Sequence, residues 1–129
     1  MDSPRVTVVR SAYGCFNDED ISGLLELLDP DVELPDILHE SVLRGREELR
    51  QFFQDQFEVV HHSMFASEII EVGDAVVAAA MHQIYDRAGV PLGSGVTAVH
   101  RFTFREDLIV RVEFSALDDI PDAVRDRLT

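Results

Sequence analysis

The chain is short of cations, and that shortage removes whole classes of partner. Eleven Lys plus Arg stand against 25 Asp plus Glu, a formal charge of -14, and the basic residues form no cluster. Such a surface repels phosphate backbones and anionic bilayers, so neither nucleic acid nor a membrane is an expected partner. Long apolar runs are missing too: the longest strongly apolar stretch, Val76 to Met81, is far too short to span a bilayer. The opening Met1-Asp2-Ser3-Pro4-Arg5-Val6 lacks the basic start and apolar core of a secretory signal, so a cytoplasmic location is expected. Cys15 is the single cysteine, which excludes an internal disulfide, and its place among helical apolar positions reads as a small buried hydrophobe.

Metal and phosphate patterns are also absent. Five histidines include no His-Glu-x-x-His and no pair two apart on a strand, and adjacent His61 and His62 must point to opposite faces of a strand, so no metal is expected. Gly93-Ser94-Gly95 reads as a hairpin connection, since no helix follows it to hold a phosphate. There is no Gly-x-Ser-x-Gly nucleophile motif. No cofactor is expected.

What the chain does contain is enough apolar residue for one core. With 129 residues and 46% hydrophobic content, residues 1–129 read as a single domain. Val6, Val9, Tyr13 and Phe16 recur at three- and four-residue steps, which predicts a helix over residues 4–17 opened by Pro4. A second, leucine-dense helix is expected over residues 18–28, broken by Asp29-Pro30, and a third over residues 45–57 after Gly45. From Val59 onward the period becomes strand-like, with turns at Gly73-Asp74, Gly89 to Gly95 and Arg105-Glu106-Asp107. The expected class is α+β, with three N-terminal helices laid across one face of a curved antiparallel sheet that runs through about Leu117. Ala123 to Thr129 is read as at best one frayed turn.

One stretch places an acid where chemistry can happen. Val32 and Leu34 alternate with polar neighbours as in a short half-buried strand, Pro35 stops it, and Asp36 is left at its mouth before a loop and the Gly45-Arg46 helix. On the last hairpin, alternation puts His100 on one face with Phe102, Phe104, Leu108, Val110, Val112 and Phe114, the company of a cavity wall or of a packed core imidazole. Across Gly73-Asp74 the same logic groups His62, Met64, Ala66, Glu68 and Ile70 with Val77, Ala79, Met81, Gln83 and Tyr85. Alternation does not say which of the two faces meets the helices.

The leucine-rich helix, the stubby strand ending in Asp36, the loop and the Gly45-Arg46-Glu47 helix start resemble the nuclear-transport-factor-two-like superfamily, with its ketosteroid isomerases and SnoaL-type polyketide cyclases. Laid without gaps against the isomerases, the chain keeps Asp20-Ile21, the short strand and Gly45-Arg46-Glu47, and sets Asp36 under the family's proton-shuttling aspartate. The family's oxygen-holding tyrosine falls on Ala12, with Tyr13 one residue away and brought in by a slip in the Asn17-Asp18-Glu19 turn; its second, protonated acid falls on His100. The resemblance implies a cone-shaped fold, favours Met64, Met81, Gln83 and Tyr85 as cavity-facing, and implies a homodimer.

The expectation is therefore an Asp36/His100 acid-base pair in a cavity that binds substrate through Tyr13, Phe16, Phe53, Phe57, Met64, Met81, Gln83, Tyr85, Phe102, Val112 and Phe114. Isomerase, cyclase or dehydratase chemistry on a small apolar carbonyl compound would follow, with a non-catalytic ligand-binding dimer as the alternative. The dimer is expected on the sheet face away from the helices, where Val99, Ile109 and Ile69 or Ile70 would leave apolar surface.

Overall fold

The computed structural model describes residues 2–36 and 40–128. Helix α1 (Pro4–Asn17) starts where expected, with the Ser3 hydroxyl accepting from the Val6 N–H and Pro4 in the first turn. Asp20 caps α2 (Ile21–Glu26) by accepting from the Gly23 N–H at 3.0 Å. The second helix is thus shorter than the sequence suggested. Strand β1 (Leu28–Asp36) already begins at Leu28 and carries Asp29-Pro30 within it.

The segment before α3, read from the sequence as a loop, contains a further strand, β2 (Ser41–Arg44), antiparallel to β1 with Asp36 opposite Ser41; residues 37–39 of that loop lie outside the described residues. Gly45 links β2 to α3 (Gly45–Val59) with φ of 82°, a backbone conformation that side-chain-bearing residues rarely adopt. Arg46, the next residue, donates from Nε to the Leu28 carbonyl at 2.9 Å. The Gly-Arg pair therefore turns the chain into α3 and ties its start to the first residue of β1.

Strands β3 (Val60–Val72), β4 (Ala75–Asp86), β5 (Val96–Arg105) and β6 (Leu108–Ala116) form the antiparallel meander, and the sheet order is β2-β1-β6-β5-β4-β3. One pair departs from the antiparallel expectation: β1 runs parallel to β6, through Leu28 with Ile109 and Glu33 with Arg111. No hairpin joins these two strands, so no turn dictates their relative direction. Arg105 closes this end by reaching Asp31 at 2.8 Å and the buried Asp29 at 3.3 Å.

Two bulges reset which residues face the helices. In β3, Ser67 is an extra residue between the Ala66–Ala80 and Glu68–Ala79 pairs. Near the turn the expected partners hold, Ile70 with Val77 and Glu68 with Ala79, but beyond Ser67 the pairs are Met64 with His82 and His62 with Ile84. In β6, Val110 is the extra residue: Phe104 pairs with Ile109, Phe102 with Val112 and His100 with Phe114. Ile109 consequently turns inward and is 1% exposed. A bulge moves everything past it to the other face.

The main core lies between the inner sheet face and α1 to α3, with Val9, Val32, Leu49, Val76 and Ile109 essentially sealed. A second, smaller cluster fills the turn-proximal half of the outer face. There α4 (Asp122–Leu128) lays Leu128 on Val77, Ala79 and Val99. The C-terminus is thus a packed helix rather than a frayed turn, with Thr129 outside the described residues, and Val99 is only 2% exposed beneath it. Neither Val99 nor Ile109 provides the apolar surface assigned to them from sequence, and Ile69 packs on the inner core. Among the described residues no helix is long and apolar enough to cross a membrane.

Candidate functional site

The helices touch the distal half of the sheet only at its margin, through Asn17 with Met64 and Gln56 with His62, and stand off from the rest of its inner face. Between them lies a cavity of about 350 Å³, within the range that holds a small organic molecule. Aromatic and aliphatic side chains supply most of its wall: Phe16 from α1, Phe52 and Phe53 from α3, Leu34 from β1, Phe102 from β5 and Val112 from β6 all border it. Seven further residues carry polar or polarisable groups to the same space: Asp36, Tyr13, His100, His82, His62, Gln56 and Met64.

Asp36 arrives at the end of β1, buried to 6% exposure, directly after Pro35. Tyr13 arrives from α1, and its hydroxyl lies 2.7 Å from His100 Nδ1 on β5. Both members of that pair are buried. Burial pushes the Tyr13 phenol well above its ordinary range, and burial, helped by His82, lowers His100 to about 4. At neutral pH the pair is accordingly a phenol and a neutral imidazole. Together they hold two exchangeable protons, one on oxygen and one on nitrogen. Their mutual hydrogen bond uses one, leaving either the His100 Nε2–H or the Tyr13 O–H to donate elsewhere.

Some way along the same wall stands a second polar group. His62 Nδ1 lies 2.9 Å from His82 Nε2, and His62 Nε2 lies 3.3 Å from Gln56 Oε1. The two rings stack at 5.1 Å between centroids. Burial lowers His62 to about 4, with His82 and His61 contributing, and burial lowers His82 as well. Neither is an imidazolium at neutral pH. Among the described residues no group of His, Cys, Asp or Glu converges in a way that would hold a metal ion.

The residues named from sequence divide between this cavity and the surface. Asp36, His100, Tyr13, Phe16, Phe53, Met64, Phe102, Val112 and Phe114 border the cavity, Phe114 at its edge with 39% exposure. Phe57 does not reach it and packs behind, stacked on Phe53 at 6.0 Å and against Phe16 at 5.5 Å. Met81, Gln83 and Tyr85 are corrections: Met81 pairs with Phe65 and is 50% exposed, Gln83 donates to the Ile84 and Gly93 carbonyls, and Tyr85 lies tilted beside His61. The Ser67 bulge is the cause, since it takes Met64 and His62 off the Met81 face and puts them with His82 and Ile84. His62, His82 and Gln56 were not selected as site residues from the sequence. The shared parity of His82 with Ala78 and Ala80 carried the only signal.

Residues 9–112 match the family model of the SnoaL-like domain. Among solved structures, a nuclear-transport-factor-two-like protein of unknown function from Burkholderia pseudomallei superposes with a TM-score of 0.77 at 23% identity, covering 98% of each chain. A protein from Mycobacterium tuberculosis, in complex with estradiol-17beta-hemisuccinate, has a TM-score of 0.74 at 20% identity and covers 88% of this chain and 93% of its own. A putative polyketide cyclase from Sinorhizobium meliloti has a TM-score of 0.70 at 20% identity, with 84% and 94% covered. At these identities the likeness establishes the fold alone. No curated protein matches the sequence.

Proposed function

Since the chain belongs to the SnoaL-like domain family, we propose that it is an enzyme that moves a proton next to a carbonyl group of a small hydrophobic molecule, in isomerase, cyclase or dehydratase chemistry. The observation that carries this reading is the Tyr13–His100 hydrogen bond of 2.7 Å inside an apolar cavity that Asp36 also borders. Asp36 is the base. Its carboxylate takes the proton from the carbon beside the carbonyl, the electron pair of that C–H bond forms a C=C bond, and the carbonyl π pair moves onto the oxygen. The free N–H or O–H of the Tyr13–His100 pair hydrogen-bonds that oxygen as its charge grows. Because His100 is neutral at pH 7, it assists by donating a hydrogen bond rather than by transferring a proton as imidazolium. Asp36 then returns its proton to carbon, or a leaving group departs.

The test is Asp36→Asn, which keeps the side chain's shape and removes the base. On any substrate turned over by the wild type, kcat should fall roughly 10²-fold or more while ligand affinity stays similar. An unchanged rate would end this reading in favour of a cavity that binds without turnover. That alternative has its own support in the estradiol-hemisuccinate complex of the Mycobacterium tuberculosis protein.

We also propose that two copies associate through the distal half of the outer sheet face. Phe65 and Met81, paired across β3 and β4 and beside Thr97 of β5, are 74% and 50% exposed, an apolar patch that a monomer rarely leaves uncovered. Sedimentation at micromolar concentration should give twice the 14.5 kDa chain mass. Phe65→Asp should return it to monomer, and a wild type that sediments at the chain mass would sink the idea.

A further inference from the structure

Resting on the ligand reading just given, we propose that the molecule this cavity takes carries a second polar group away from its carbonyl, a hydroxyl that donates to His82 Nδ1. The acid/base scheme leaves His62, His82 and Gln56 without a task. Yet these three polar side chains border the same largely apolar cavity, where each costs desolvation unless it is bonded. Their bonds run in one direction. Gln56 Oε1 is an acceptor, so His62 carries its proton on Nε2 and donates it across 3.3 Å. His62 Nδ1 then holds a lone pair and accepts the His82 Nε2–H across 2.9 Å. A neutral His82 with its proton on Nε2 has a lone pair on Nδ1, and among the described residues nothing donates to it.

Position separates this acceptor from the Tyr13–His100 pair. His100 pairs with Ala78 of β4, and His82 stands four residues further along the same strand, roughly 13 Å of strand rise before sheet curvature shortens it. The two stations also differ in chemical sense. Tyr13–His100 offers a donor, which suits a carbonyl oxygen; His82 offers an acceptor, which suits a hydroxyl and repels an ether or a second carbonyl. The cavity thus reads a hydrophobic molecule by polarity at two places. Hydrophobic carbonyl compounds with a hydroxyl remote from the carbonyl are the ligand class it fits.

Three probes test this on the unmodified protein: acetylnaphthalene, the same ketone with a hydroxyl on the far ring, and its methyl ether. Fluorescence titration should show the hydroxyl compound binding roughly three- to tenfold tighter than the parent, with the methyl ether no better than the parent. In His82→Phe, which keeps a ring against His62, the hydroxyl compound should lose its advantage over the parent ketone. Tyr13→Phe should weaken all three alike and leave the preference intact. Equal binding of all three by the wild type, or tighter binding of the ether, would overturn the hydroxyl station while leaving the carbonyl station standing. Binding of none would overturn both readings together.

Discussion

The two halves of β4 are chemically unlike although they belong to one strand. From Ala75 to Ala80 every residue is buried, with Val76, Ala78 and Ala80 against the helices and Val77 and Ala79 facing the other side, toward α4. From Met81 to Asp86 the strand is half open: His82 and Ile84 border a cavity on the inside, and Met81 is exposed on the outside. The first half is built of small and branched residues packed from both sides, the arrangement that gives a sheet its stability. The second half keeps space on one side and apolar surface on the other, and every polar group of the second station belongs to it or to the neighbours it faces. Close packing and the His62–His82 group are thus lodged at opposite ends of one hairpin, and the Ser67 bulge is the seam between them.

Deleting Ser67 breaks this division most severely. It should restore an uninterrupted ladder, swing His62 and Met64 outward and drive Phe65 and Ser63 into the cavity side. Stability is expected to fall by roughly 4 kcal/mol or more, in the range that marks a disrupted core, and probe binding should be lost. Urea unfolding together with fluorescence titration checks both; a deletion variant with wild-type stability and affinity would show that the bulge is not what orients the site.

Acid should act on the distal half and on His100 while leaving the packed half untouched. His62 and His100 have native values near 4 against about 6.5 in the unfolded chain. The unfolded chain therefore binds more protons between these values, and the stability they contribute is present in full above pH 6.5 and drains away as the pH falls towards 4. The loss is on the order of 3 kcal/mol for each group. Urea midpoints for the wild type and His62→Gln, measured from pH 7.5 to about 4.5, should show a shallower decline in the variant. Parallel declines would remove His62 as a source of the effect.

Leu128→Ala probes the packed half, where this side chain is 5% exposed against Val77, Ala79 and Val99. It should cost about 2 kcal/mol or more without changing probe affinity, because the cavity lies on the other face. Met81→Ser, at the exposed end of the same strand, should change the stability of the folded chain by less than about 0.5 kcal/mol and weaken self-association. If Met81→Ser costs as much as Leu128→Ala by thermal unfolding at low protein concentration, the contrast between the two halves is not one of packing.

The sequence disclosed the parts of this fold whose signals are local. Pro4 with the Val6, Val9 and Tyr13 spacing marks α1, Gly45 and the Leu49, Phe53 and Phe57 stripe mark α3, and the turns at Gly73-Asp74 and Glu106-Asp107 mark the hairpins. Non-local choices were not legible. Nothing in Leu28 to Asp36 announces a parallel partner eighty residues on, and the apolar residues of α4 are too few to signal a helix before Val77 and Val99 are there to receive Leu128. Asp36 and His100 could be named as cavity-facing from local alternation and the resemblance together, and both border the cavity, but β3 and β4 pair differently past Ser67 from what alternation alone suggests. A bulge has no residue signature of its own here, since Ser67 and Val110 are ordinary strand residues, and period-two reasoning fails silently beyond either one.

Asn17, the last residue of α1, donates from its amide nitrogen to the Met64 carbonyl at 2.8 Å and accepts the Met64 N–H at 2.7 Å. Strand β3 is an outer edge of the sheet, thirteen residues long and bearing the exposed Phe65 next to Met64, features that invite another chain to add itself as a seventh strand. The Asn17 amide fills the hydrogen-bonding slot of Met64 as a neighbouring strand would, so an incoming strand finds the ladder interrupted beside its stickiest side chain. One side chain at the end of a helix thereby gives this edge a built-in guard against fibre growth.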